Sequence, residues 1–70
     1  MNLGFIRRQE ERLAVRLLMW QYQRMNLPVP AMKDLERQSV KLVNDAHGIA
    51  RERGRNVISI IKEMISDLKK

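Results

Sequence analysis

The chain has 70 residues, no cysteine, one histidine and a formal net charge of +6, with 14 Lys and Arg against 8 Asp and Glu. That length holds a single domain, 1–70, whose thin core gains no support from disulfides or from a zinc-ligand set. A hydrophobic content of 44% is too high for a disordered tail, while 31% charged residues and no apolar run beyond Leu17 to Trp20 exclude a membrane span.

Apolar residues recur at helical rather than alternating spacing. Breaks at 26–30 and 54–56 divide the chain into three predicted helices and no strand. The first runs near 5–26. Ile6, Leu13, Leu17 and Trp20 share its main stripe, with Ala14, Leu18 and Met25 beside it. Val15, Met19 and Tyr22 carry apolar surface further round, and Gln9, Arg12, Arg16 and Gln23 make the plainly polar strip. A helix this apolar needs partners on more than one side. Asn26 suits the left-handed residue that closes a helix, and Pro28 prevents continuation.

The second predicted helix spans 30–53, with Pro30 at its first helical position and Asp34 and Glu36 in its early turns. Met32, Leu35, Ser39, Leu42, Ala46 and Ile49 form a heptad seam, flanked by Val40, Val43, His47 and Ala50. Gly48 costs a helix interior about 1 kcal/mol relative to alanine. Both rows keep their phase across it, so we read one continuous helix; the alternative is a break after His47. The third predicted helix, 56–69, has Asn56 as N-cap. Val57, Ile61, Met64 and Leu68 form its apolar row, widened by Ile58, Ile60 and Ile65.

These elements predict an all-α fold. A loop of about four residues favours an antiparallel helical hairpin, and a shorter third helix folds back along the second. The residues expected inside are Leu13, Leu17, Trp20, Leu35, Leu42, Val43, Ala46, Ile61, Met64 and Leu68. The apolar excess of the first helix predicts a homodimeric helical bundle, with Val15, Met19 and Tyr22 at the interface.

Little in the sequence suggests catalysis. Ser39, Ser59 and Ser66 have His47 as the single candidate base, and no nucleophile elbow, phosphate loop or dinucleotide fingerprint is present. His47 lacks the converging ligands of a metal site. No enzyme activity, metal or cofactor is therefore expected. Trp20 and the methionines read as core filling. A helix-turn-helix register around Ala50, Gly54 and Ile60 fails because Arg55 and Glu63 fall at positions that need apolar residues.

The arginines are more informative. In an antiparallel hairpin Arg7, Arg8, Arg12 and Arg16 approach Arg51, Arg53 and Arg55, and the amides that follow Asn56 add partial positive charge. The sequence thus predicts a small basic, self-associating protein-interaction module. The alternative is a nucleic-acid-binding protein that contacts phosphates through Arg7, Arg8, Arg12, Arg51, Arg53, Arg55 and Asn56. An acidic protein would suit the same charge. The absence of cysteine and of a secretory-signal pattern in the first eight residues points to the cytoplasm.

Overall fold

A computed structural model describes residues 3–67. It is all-helical, with no strand among the described residues: α1 is Leu3–Arg24, α2 is Met32–Arg53 and α3 is Val57–Asp67. Leu68 and the expected end of the third helix at Lys69 lie outside the described residues.

Local chemistry accounts for each boundary. Asn26 has φ 58°, the left-handed conformation. The Leu27 N–H donates to the Tyr22 carbonyl at 3.0 Å and the Asn26 N–H to the Gln23 carbonyl at 3.1 Å. This pair of bonds is a Schellman closure, and it satisfies carbonyls that the end of α1 would leave bare. Gly54 ends α2 in the same conformation (φ 63°), with its own N–H and that of Arg55 converging on the Ala50 carbonyl. Asn56 caps α3 as expected, its Oδ1 accepting from the Ile58 N–H at 2.8 Å.

Two expectations about α2 are settled differently. The helix runs unbroken through Gly48 to Arg53. Its start lies at Met32, so Pro30 precedes the helix instead of opening it. Ala31 is still extended (ψ 153°), and its carbonyl accepts from Asp34 and Leu35. Pro28 and Pro30 bias the residues before them toward extended backbone, so the connection is longer than the expected four residues and covers 25–31.

All three helices pack on one another. The core takes Ala14 and Leu18 from α1, Leu35, Val43, Ala46 and Ala50 from α2, and Ile60, Ile61 and Ile65 from α3. The alanines and buried Ser39 let the helices approach closely, and the leucines and isoleucines fill the space between them. Leu35, Val43, Ala46 and Ile61 are inside as expected. Leu13, Leu17, Leu42 and Met64 are half-buried, and Trp20 is 49% exposed, against expectation.

The reason lies in the rotation of α1 about its axis. Its inward residues are Ala14, Leu18 and Gln21, spaced 4 and 3 apart, with the Glu10 side chain only 12% exposed on the same row. The main stripe read from sequence therefore lies off to one side. Docking α1 in this way buries the Gln21 amide with neither polar atom hydrogen-bonded, and Ser39 Oγ is likewise unpartnered.

Candidate interaction surface

Two cross-helix contacts fix the site's frame. His47 Nε2 and Glu10 Oε1 lie 2.7 Å apart, tying the first half of α1 to the second half of α2. The Tyr22 hydroxyl reaches Gln38 Oε1 at 3.4 Å, tying the end of α1 to the first half of α2. His47 thus has a structural partner. Among the described residues no group of His, Asp and Glu side chains could hold a metal. Nor is any helix there long and apolar enough to cross a membrane.

The arginines expected to act together have different surroundings. Arg7 Nε sits 3.5 Å from Glu11 Oε2, one turn along α1. Arg55 donates from Nη1 to Glu63 Oε1 at 2.9 Å, a strut across the start of α3. The Asn56 side chain is used by its cap bond to Ile58. Arg8, Arg12, Arg16, Arg51 and Arg53 are exposed and make no ion pair among the described residues. Arg7 and Arg8 lie within one turn of Glu10, and Arg51 one turn beyond His47, so the Glu10–His47 contact sets these positions near each other.

Val15, Met19 and Tyr22, the residues expected at an oligomer interface, are half-buried and packed against the core. Val15 and Met19 also belong to a feature the sequence did not reveal. A groove of about 850 Å³ runs between α1 and α2, and no α3 residue lines it. Val15 and Met19 on one side and Met32 and Val40 on the other form its apolar floor. Met32 is 52% and Val40 41% exposed. Arg8, Arg12 and Arg16 stand along the α1 bank together with Glu11, which Arg7 pairs, and Glu36 stands on the α2 bank. The sequence signal was the flanking position of Val40 beside the α2 seam, but it needed the rotation of α1 to become half of a groove.

A second apolar surface lies on α1 itself. Ile6, Leu13 and Trp20 are seven residues apart, hence nearly in line, and Ile6 and Trp20 are exposed. The Arg24 guanidinium lies 5.1 Å from the Trp20 ring centre, a cation–π contact that orders the indole on the surface. No protein-family model, curated protein or solved structure matches the chain.

Proposed function

We propose that this protein is a small helical interaction module that self-associates through the Ile6–Leu13–Trp20 stripe of α1. The observation that carries the reading is the choice of buried face. α1 turns Glu10 and Gln21 inward and leaves an apolar row with Ile6 and Trp20 exposed, Leu13 half-buried between them and Arg24 stacked on the Trp20 ring. The stripe is symmetric about Leu13, so two antiparallel copies of α1 set Leu13 on Leu13 and Ile6 on Trp20. A surface that matches itself in this way suits a two-fold dimer. Within each protomer α1 and α2 form an antiparallel hairpin, supported by the Glu10–His47 and Tyr22–Gln38 contacts, and two hairpins make the dimeric bundle. The interface thereby moves from Val15, Met19 and Tyr22, which the protomer partly uses itself, to the row on the far side of α1.

Sedimentation equilibrium at micromolar concentration tests this. The parent is expected to run as a dimer and Trp20→Asp as a monomer of unchanged helicity. A monomeric parent, or a variant still dimeric, would sink the reading.

The second reading, phosphate contact at an arginine-rich end, is supported by unpaired Arg8, Arg12, Arg51 and Arg53. It loses weight at Arg7, Arg55 and Asn56, whose polar groups already serve Glu11, Glu63 and Ile58. Its test is a salt series with duplex DNA, in which affinity must fall steeply as salt rises.

A further inference from the structure

The groove between α1 and α2 has an occupant that its chemistry describes. We propose that it receives an amphipathic helix from another protein, one with an apolar stripe flanked by a row of carboxylates at four-residue spacing. This site is separate from the self-association stripe and does not depend on it.

Three arguments identify the occupant. The first is charge. Arg8, Arg12 and Arg16 are four residues apart, so they repeat about every 6 Å along α1. All three are exposed and unpaired among the described residues, beside an apolar floor where an added carboxylate is shielded from water on one side. A helix laid alongside has the same rise per residue, so carboxylates at the same spacing stay in register with the arginines.

The second argument is backbone chemistry. Both walls of the groove are helices, whose interior N–H and C=O groups already bond within the helix. An extended peptide would find no main-chain partners there, while a helix arrives with its own satisfied.

The third argument excludes a second copy as the occupant. No helix of this chain offers three carboxylates at a spacing of three or four. Glu10 and Glu11 on α1 are held by His47 and Arg7, and on α3 Glu63 is held by Arg55, leaving Asp67, four residues on, as a single carboxylate. Asp34, Glu36, Asp45 and Glu52 on α2 are never three or four apart. The apolar floor also makes the groove a poor phosphate track, which separates it from the nucleic-acid reading.

The experiment uses the full chain and a labelled synthetic amphipathic helix with a leucine stripe and glutamates at every fourth position. Fluorescence anisotropy should show saturable binding, and amide shifts should change at Val15, Met19, Met32 and Val40. Replacing the glutamates by glutamine, or making Arg12→Gln with Arg16→Gln in the protein, should each weaken binding about tenfold, since exposed ion pairs contribute up to ~1 kcal/mol each. Val40→Asp, at an exposed position, should abolish binding while sedimentation shows the parent's oligomeric mass. The proposal is overturned if unstructured polyglutamate of equal charge or duplex DNA binds as tightly as the peptide. It is equally overturned if the glutamine peptide binds as well, or if the shifts fall outside the groove.

Discussion

α1 and α2 are both 22 residues long and both close on a left-handed residue, yet they present different faces to the core. α2 turns Leu35, Ser39, Val43, Ala46 and Ala50 inward and keeps its charges on the solvent side. α1 turns in Ala14, Leu18 and Gln21, nearly buries Glu10, and leaves the largest side chain of the protein half outside. A helix with one apolar arc has one way to dock. A helix that is apolar over most of its circumference has several, and its neighbours choose among them. Here α2 and α3 accept the narrow Ala14–Leu18 ridge, and the bulky Trp20 side remains free for other contacts.

The sharpest way to break that comparison is to truncate one residue from each stripe of α1. Leu18→Ala should cost about 2–5 kcal/mol in urea unfolding, which could unfold so small a domain, whereas Trp20→Ala should cost the protomer about 1 kcal/mol or less. Similar losses at the two positions would mean that α1 docks in a different rotation. Next in size is the polar residue that this rotation buries. Gln21→Met keeps the volume and removes two unpartnered polar atoms, so the urea midpoint should rise by the equivalent of about 1–3 kcal/mol. A fall in the midpoint would show that the amide makes bonds that matter.

Smaller effects sharpen the α2 side. Glu10→Ala removes the carboxylate at 2.7 Å from His47 and should cost about 1 kcal/mol. A double-mutant cycle with His47→Ala should recover most of that as coupling, and strict additivity would refute the contact. Gly48→Ala should raise the melting temperature, by about 0.5–1 kcal/mol of stability, because an added Cβ meets nothing within 4 Å and the backbone is helical. Destabilisation there would mean that α2 is broken after all.

The legible parts of this molecule were those where a residue type leaves one choice. Asn26 takes the left-handed conformation, the chain breaks at Gly54, and Asn56 caps α3; of the expected α2 seam, Leu35, Ser39 and Ala46 face inward while Leu42 and Ile49 are half-buried and Met32 is exposed. The Pro28–Pro30 segment was less legible, because proline is equally at home at the start of a helix and in extended chain, and here it is the latter. The face of α1 was not legible at all: its periodicity fits two stripes, and the choice depends on contacts with residues far along the chain. The groove shares that fate, since Met19 and Val40 belong to separate helices. The arginines could be counted in advance, but not which of them Glu11 and Glu63 would hold.

The joint between α2 and α3 bears on how quickly the native state is reached. Gly54, Arg55 and Asn56 redirect the chain through bonds to Ala50 and Ile58, within a few residues of each other. Ile60 and Ile61 then meet α2 after closing a very short loop, with little loss of chain entropy. Contacts so near in sequence belong to fast-folding topologies, with relaxation in microseconds to milliseconds. We expect the folding nucleus at the α2–α3 corner, with α1 adding its ridge afterwards, and φ-values of core variants in the three helices check this. Alanine at Gly54, strained at φ 63°, would then slow refolding more than it hastens unfolding. If α1 docks last, an incompletely folded chain exposes both apolar stripes of α1 at once, and the speed of that last step sets how long they stay open to aggregation.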